Sequence, residues 1–311
     1  MSESDFQNFN HLKIHTQYSI CEGAVRIDDL QEYSKKNKIK SLGLCDTSNL
    51  CGALEFAEKI SKSGTQPIIG TQINFKIGDT TGLMPLFALN ETGYKNIIEL
   101  SSFSYLKNDK LSDPHVDFEL LLNNSDGVAV FSGTFFGLFG KLFEKGKFTE
   151  IDEIFSKIKK TFGDRFYIEI QRHNDANEIE FEKFNLKKSL DLEIPIIATN
   201  EVFYLNKEMH EAHDALICIG NKTYVHEKNR LRFTDQHYLK TNSEMLELFA
   251  DLPEALENNY NFPLRCSYRP LFSNPILPNI SSERDGNADE VLKKDSMEGL
   301  KAKFNKILNL S

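Results

Sequence analysis

Two histidines and a lysine alternate with apolar residues near the start of the chain. In the segment His11-Leu-Lys-Ile-His15 the polar side chains occupy every second position. On a β-strand, residues at this spacing point to the same face. Two imidazoles on one face suggest a metal site, but an ammonium group between them repels a divalent cation. The segment therefore raises the question of whether Lys13 has displaced a metal ion.

Further polar side chains come at the carboxyl ends of other short apolar segments. Together with His15 they are Asp46, Gln72, Asn90, Gln171 with His173, and Asn200 with Glu201. Barrels of alternating strands and helices place their functional side chains at this end of the strands, whereas an open sheet uses only its switch point. No G-x-G-x-x-G motif follows the first segment. We therefore predict a barrel rather than an open dinucleotide-binding sheet.

The elements that must position these residues alternate regularly. Seven apolar segments are predicted to be buried strands: 11–16, 41–46, 67–75, 85–90, 128–133, 166–171 and 195–200. Apolar residues at helical spacing predict helices between and after them: 27–38, 51–64, 93–106, 148–162, 176–192 and 207–219. This order favours a parallel α/β architecture.

The alternation stops after Gly220. Residues 221–240 are predicted to form a loop and a short strand, and two capping boxes, Thr241 to Glu244 and Asp251 to Glu254, predict helix starts. A polar linker is expected over 281–288 and a last helix over about 288–308. We expect a first domain over 1–280, with the barrel at about 9–220 and an extension at about 221–280. Residues 281–311 then begin another region of a longer polypeptide.

Composition excludes several classes of protein. The 311 residues are 40% hydrophobic and include 24 Phe, enough for a large core. The net charge of −9 disfavours autonomous binding to duplex DNA. No signal peptide or membrane span is evident, so a cytosolic location is expected. The cysteines are odd in number and scattered, which argues against a disulfide framework: Cys21, Cys45, Cys51, Cys218 and Cys266.

Six segments in order resemble one known family. They are NHLKIHTQYSICEGAVRIDDL, LGLCDTSNLCGALEFAEKISKSGTQPIIGTQINF, FALNETGYKNIIEL, FYIEIQRHN, PIIATNEVFYLNKEMHEAHDAL and YLKTNSEMLELFADLPEALENN. Together they resemble the PHP (polymerase and histidinol phosphatase) domain that opens the bacterial DNA polymerase III alpha subunit, in its proteobacterial type. The resemblance implies a distorted seven-stranded α/β barrel, followed by a short segment leading toward the palm. It also implies that the carboxylates of nucleotidyl transfer lie beyond Ser311.

The same resemblance implies a metal cluster at the barrel mouth, and most of its ligand positions are altered here. Non-ligating or weaker residues stand at Lys13, Thr47, Gln72, Leu83 and Phe203. The remaining, vestigial cluster is His15, Glu22, Asp46, His173 and Glu201. A multinuclear hydrolytic site needs three or more ligands for each ion and an open position for water. We therefore expect no catalytic residue, no bound metal and no cofactor in this chain.

Lys13 suggests how the loss is compensated. A buried carboxylate without a counter-ion costs several kcal/mol, and an ammonium about 4 Å away recovers on the order of 4 kcal/mol. We hypothesise that Lys13 replaces the metal electrostatically by bridging Asp46 and either Glu201 or Glu22. A Lys13 side chain directed toward the helix layer would contradict this hypothesis.

Simpler interpretations apply to several other residues. His15 is either a remnant ligand or a hydrogen-bonded barrel histidine. His210 and His213 are three apart and are interpreted as an ordinary helix face. The glycine-rich segment 133–140 lacks the Lys-Ser/Thr of a phosphate loop, so it predicts a turn into an apolar helix. Cys45 and Cys51 are interpreted as small hydrophobic residues.

Two functions follow from the resemblance. The first is the N-terminal part of a DNA-directed DNA polymerase, a nucleotidyltransferase of DNA replication, with this domain as a non-catalytic platform. It would dock the proofreading exonuclease subunit and brace the palm and thumb. The alternative is a metal-dependent phosphoesterase, either a 3′–5′ exonuclease or a pyrophosphatase, which would use the vestigial cluster with zinc, manganese or magnesium. A stand-alone remnant is disfavoured by the polymerase-type segment 238–259.

Overall fold

The chain forms two compact units in the computed structural model, Met1–Leu271 and Phe272–Ser311. The structure describes residues 8–108, 112–275 and 287–308. The predicted boundary at 280 and most of the predicted linker at 281–288 lie outside these ranges, so they stay predictions. In the second unit, the predicted last helix forms over Ala288–Leu308, and its residues are exposed except for the half-buried Val291.

The first unit is built around a curled sheet. Its strands are β1 (Lys13–Ile14), β2 (Ser41–Thr47), β3 (Gln66–Ile77), β4 (Thr80–Ala88), β5 (Val116–Asp117), β6 (Val128–Phe131), β7 (Phe166–Ile170), β8 (Ile196–Ala198) and β9 (Glu201–Val202). Neighbouring strands follow the order β8-β7-β6-β4-β3-β2-β1-β9, and β5 pairs with β3 outside this path. All seven predicted segments contain a strand, and the seventh, 195–200, contains β8 and ends just before β9.

The two ends of this strand order belong to one piece of chain. β8 pairs with β7, β9 pairs with β1, and only Thr199 and Asn200 separate β8 from β9. A sheet whose two edges are continuous through two residues must curl back on itself. The closure confirms the predicted distorted barrel, and it places Glu201 directly beside Lys13 in the register of β1 and β9.

One strand departs from the predicted parallel order. β4 runs antiparallel to both β3 and β6, because a tight turn containing Gly78, at a φ of 54°, joins β3 directly to β4. The carboxyl end of β4 therefore lies at the opposite end of the barrel from those of its parallel neighbours. Asn90 follows that end and caps the next helix, accepting the Gly93 backbone N–H at 3.0 Å. The prediction that Asn90 belongs with the other strand-end residues was wrong.

Helices cover the strands and complete the extension. They are α1 (Ile27–Asn37), α2 (Ala53–Lys62), α3 (Glu91–Leu106), α4 (Phe118–Asn123), α5 (Leu138–Glu144), α6 (Phe148–Phe162), α7 (Glu178–Leu192), α8 (His210–Asn221), α9 (Asn242–Leu248), α10 (Pro253–Asn261) and, in the second unit, α11 (Ala288–Leu308). The turn at Gly133 leads into α5, as the segment 133–140 predicted. Within the described residues, no helix has the length and apolar character needed to cross a membrane.

The two predicted capping boxes had different outcomes. Thr241 and Glu244 form a reciprocal capping box at the start of α9. The second box was wrong, because α10 begins at Pro253 and its N-cap is Leu252. Proline suits the first helical position, where no N–H is needed. The Asp251 carboxylate instead forms a 2.6 Å ion pair with Arg172.

The barrel interior is layered. One layer is an apolar cluster that includes Phe87, Phe131, Tyr167, Ile197 and Phe262. Because side chains alternate along a strand, the residues two positions after Tyr167 and Ile197 face the same interior. Those residues are polar, and they begin the layer that leads to the mouth of the barrel.

Candidate functional site

The Lys13 side chain is fully buried inside the barrel. Its ammonium nitrogen lies 3.1 Å from Glu201 Oε1 and 3.5 Å from Glu169 Oε1. The Glu201 contact follows from the register, since Lys13 and Glu201 are paired across β1 and β9. The structure therefore confirms that Lys13 points toward buried carboxylates and that Glu201 is one of its partners.

Glu169 is the second partner of Lys13, and the sequence analysis missed it. Its Oε1 atom accepts a hydrogen bond from Gln171 Nε2 at 2.9 Å and another from the Thr199 hydroxyl. The alternation of Tyr167, Glu169 and Gln171 along β7 was the available signal, because it places all three side chains on the inward face. A carboxylate on the inward face of a buried strand requires a partner.

His15 extends this charge cluster toward the mouth. Its Nε2 atom lies 3.1 Å from Glu201 Oε1, and its ring stacks on Phe203 with centroids 4.6 Å apart. In this structure His15 is a hydrogen-bonded barrel histidine. His11 does not join the cluster, although it alternates with Lys13 and His15, because its Nε2 atom hydrogen-bonds the Lys240 carbonyl at 2.8 Å.

Charge and burial act on the pKa values of this cluster in opposite directions. Burial alone would lower the pKa of Lys13, but the carboxylates of Glu169 and Glu201 raise it above its usual value. Burial likewise opposes ionisation of Glu201, yet Lys13 and His15 hold its pKa below the usual range. Burial raises the pKa of Glu169 despite the nearby ammonium. The ion pair of Lys13 and Glu201 is therefore the charged centre of the site.

Asp46 lies apart from this ion pair. Its carboxylate accepts the Thr16 backbone N–H at 2.6 Å, the Thr16 hydroxyl at 2.8 Å and the Ser19 hydroxyl at 2.7 Å. Burial raises its pKa, and these hydrogen bonds oppose the shift. In the described part of the chain, no ion pair joins Lys13 to Asp46 or Glu22. The predicted bridges to these two residues were wrong, because Lys13 is committed to Glu169 and Glu201 and Asp46 is bound by local donors.

Three of the five lost ligand positions line one opening. Gln72, Leu83 and Phe203 line a pocket of about 190 Å³, together with Glu22 and Glu201. Leu83 reaches this end because β4 is antiparallel. Thr47 is adjacent, since its hydroxyl accepts a 3.0 Å hydrogen bond from Gln72 Nε2. The pocket wall that would carry metal ligands is therefore largely apolar or neutral.

The remaining candidates have structural partners. His173 follows β7, and its Nε2 atom accepts the Glu201 backbone N–H at 3.2 Å. Burial lowers the pKa of His173 well below its usual value. His213 is buried rather than on an ordinary helix face, since it contacts the Glu22 carbonyl at 2.8 Å, and His210 contacts the Phe233 carbonyl at 2.9 Å. Cys45 is buried, whereas Cys51 is exposed.

Comparison with known proteins identifies the family. The family model described as the PHP domain matches residues 11–173, just over half of the chain. The chain belongs to the PHP domain family. Curated relatives include proteins named DNA polymerase III subunit alpha from Caulobacter vibrioides, 36% identical over 98% of this chain and 27% of the relative, and from Rickettsia conorii, 37% identical over 95% and 25%. The chain thus spans about a quarter of the length of these relatives.

A solved structure also resembles this PHP chain at low identity. It is an amidohydrolase from Chromobacterium violaceum, with a TM-score of 0.43 and 10% identity over 62% of this chain and 87% of that one.

The metal cluster implied by the PHP resemblance does not fit the residues at this mouth. An ion bound to Glu201 Oε1 would lie within a few ångströms of the Lys13 ammonium, where repulsion between the two cations is strong. Leu83 and Phe203 offer no ligand atom, and Gln72 Nε2 donates a hydrogen bond to the Thr47 hydroxyl. The Lys13 ammonium therefore occupies the place beside Glu201 that such an ion would need.

Proposed function

We propose that this PHP domain is the N-terminal part of a replicative DNA polymerase III alpha subunit, within which it is a non-catalytic structural platform. The two relatives named above support the polymerase assignment, since the similarity extends over at least 95% of the chain. The catalytic carboxylates of nucleotide transfer are expected in the portion of those relatives that the chain does not span. A cytoplasmic location accords with this role.

One observation carries the non-catalytic part of the proposal. The Lys13 ammonium lies 3.1 Å from Glu201, where a hydrolytic PHP site would need a metal ion. The ammonium is buried beside Glu169 and Glu201, so it balances their charge but does not supply an activated water as a metal ion does. The cluster therefore stabilises the barrel without supplying hydrolytic chemistry.

The proposed partners are the proofreading exonuclease subunit and the palm and thumb of the same polymerase. A rigid barrel suits such docking, because a surface held by a packed core loses little conformational entropy on binding. No cofactor is required for this role.

The catalytic part is tested by phosphoesterase assays on the purified chain. The substrates are p-nitrophenyl phosphate, pyrophosphate and a DNA strand labelled at its 3′ end, each with added zinc, manganese or magnesium. We expect no hydrolysis above the level of the His15→Ala variant. Hydrolysis that His15→Ala or Glu201→Gln abolishes would instead establish the alternative, a metal-dependent exonuclease or pyrophosphatase.

The platform part is tested by binding. The full-length subunit should bind its exonuclease with an affinity that Lys13→Met weakens only at temperatures where the PHP barrel begins to unfold. Equal affinity for a subunit lacking residues 1–271 would contradict the platform role. Lys62→Met, which removes an exposed cation on α2, is the matched control.

A further inference from the structure

A second group of potential ligands lies beside the backbone of Glu201. His173, Asp175 and His237 each offer one ligand atom, and these atoms lie within 4.8 Å of one another. His173 and Asp175 belong to the loop after β7, whereas His237 precedes α9 and lies in the extension. Asp175 and His237 are not among the ligand positions that the family resemblance implies. The group therefore adjoins the mouth site and differs from it in Asp175 and His237, while His173 belongs to both sets.

His237 is prepared to bind a cation. Its Nδ1 atom lies 3.2 Å from the Glu201 carbonyl oxygen, which can only accept a hydrogen bond. Nδ1 therefore carries a proton, so the neutral form of the ring has its free lone pair on Nε2. Nε2 is buried and has no hydrogen-bond partner among the described residues; Asp175 Oδ2 lies 3.5 Å away. Donation from one ring nitrogen to a backbone carbonyl is the usual way in which a protein orients a metal-binding histidine.

The surroundings provide space and negative charge. His173, Asp175 and His237 line a cavity of about 20 Å³, together with Glu178 and Glu201. This volume is enough for one water molecule or one metal ion, but not for a substrate. The Glu178 carboxylate lies 3.5 Å from His173 Nδ1 and is a nearby additional oxygen donor.

We propose that His173, Asp175 and His237 bind a single divalent transition-metal ion, with zinc as the best match. Two imidazoles and a carboxylate are ligands that zinc accepts, and a water molecule or Glu178 can complete four-coordination. The ion would connect the β7 loop to the segment before α9 and so fasten the extension to the barrel. Its role would be structural, because the cavity has no room for a substrate.

Binding requires a small rearrangement. The two imidazole rings are stacked in parallel, with centroids 4.1 Å apart and an angle of 1° between their planes. A ligand lone pair lies in the plane of its ring, so one ring must tilt before both can reach the same ion. His173 must also release either the Glu201 amide at Nε2 or the Glu178 carboxylate at Nδ1. Metal binding should therefore unstack the rings.

The test is metal stoichiometry in the purified full chain. After loading with zinc and desalting, elemental analysis should give one ion per chain, and cobalt loading should give the visible absorption of a low-coordinate nitrogen and oxygen site. His237→Ala and Asp175→Asn should each weaken zinc affinity by at least about tenfold. His226→Ala, at an exposed histidine, and His15→Ala, at the mouth, should both retain the ion. Circular dichroism of each variant without metal checks its folding, and His237→Gln provides a more conservative replacement.

Each other outcome is informative. Absence of stoichiometric zinc, or its retention in His237→Ala, would overturn the inference while leaving the proposed function unaffected. Zinc lost in His15→Ala but kept in His237→Ala would locate the ion at the mouth, which would contradict both this inference and the non-catalytic platform.

Discussion

Glu201 and Asp46 are two buried carboxylates on β9 and β2, the strands on either side of β1, and each is held in a different way. Glu201 lies 3.1 Å from the Lys13 ammonium and 3.1 Å from His15 Nε2. Asp46 is bound by one backbone N–H and two hydroxyl groups, from Thr16 and Ser19. A barrel that lacks a mouth metal can therefore balance one carboxylate with a cation and solvate the other with local donors.

The two arrangements have opposite effects on acidity. The cation holds the pKa of Glu201 below its usual value, while burial raises the pKa of Asp46 because its hydrogen bonds do not fully replace water. Glu201 therefore depends on Lys13 and His15, which are distant in sequence, whereas Asp46 depends on several neutral hydrogen-bond donors. Removing the partner of each carboxylate should separate the two mechanisms.

Lys13→Met should have the largest effect. It leaves Glu169 and Glu201 buried without a counter-ion, so we expect the free energy of unfolding to fall by about 3–5 kcal/mol. Urea denaturation of the purified chain measures the change through the shift in midpoint. The control Lys62→Met breaks an exposed ion pair with Glu58 and should cost less than about 1 kcal/mol.

The triple variant Lys13→Met, Glu169→Gln, Glu201→Gln refines this prediction. If the loss arises from uncompensated charge, neutralising both carboxylates should recover most of the stability, because a buried ion cluster can often be replaced by neutral groups. A triple variant as unstable as Lys13→Met would show that packing of the lysine stem, rather than charge, is responsible.

Asp46→Ala should have an intermediate effect. It removes the acceptor for Thr16 and Ser19, and the buried Thr16 backbone N–H is left without a partner, at a cost of about 2 kcal/mol. Asp46→Asn keeps one oxygen acceptor and should cost about 1 kcal/mol. The measurement is again urea denaturation at neutral pH. Equal losses for Asp46→Asn and Lys13→Met would mean that Asp46 also depends on its charge, which would remove the distinction between the two carboxylates.

The smallest signal is the order in which the carboxylates titrate. On acidification Asp46 should take up its proton before Glu201, because the pKa of Asp46 is raised and that of Glu201 is lowered.

The same shifts set the pH dependence of stability. Glu201 contributes stability above its unfolded pKa, and this contribution is lost as the pH falls through its folded pKa. The contribution of Asp46 has the opposite sign and is lost as the pH rises. Carboxyl-carbon NMR of the labelled chain, assigned with Asp46→Asn and Glu201→Gln, measures the order; the reverse order would contradict the roles assigned here.

Much of the fold could be predicted because the pattern is local. Apolar segments bounded by turn residues located the seven barrel strands, and the helical periodicity located α1 and α6 to within a residue or two. The direction of β4 could not be predicted from its composition, because an apolar strand has the same pattern in both directions. The predicted position of Asn90 at the same end of the barrel as the other strand-end residues was consequently wrong.

The site was predictable in part for the same reason. The resemblance selected Lys13 as the residue that replaces a ligand, and its direction into the barrel is confirmed. Its partners depend on register and distance, so Glu201 was one of several candidates and Glu169 was missed. The predicted bridge to Asp46 was wrong, because Thr16 and Ser19, which are close in sequence to Lys13, donate hydrogen bonds to that carboxylate.

The sequence by itself determined which residue types are present: a lysine at a former ligand position, too few ligands for a mouth cluster, and the alternation that builds a barrel. Only the tertiary structure decided which charges meet. Strand closure pairs Lys13 with Glu201, and folding of the extension brings His237 against His173. The physical reason is that Coulomb and hydrogen-bond energies depend on separations of a few ångströms, and residues more than sixty or one hundred and eighty positions apart acquire those separations only when the barrel closes.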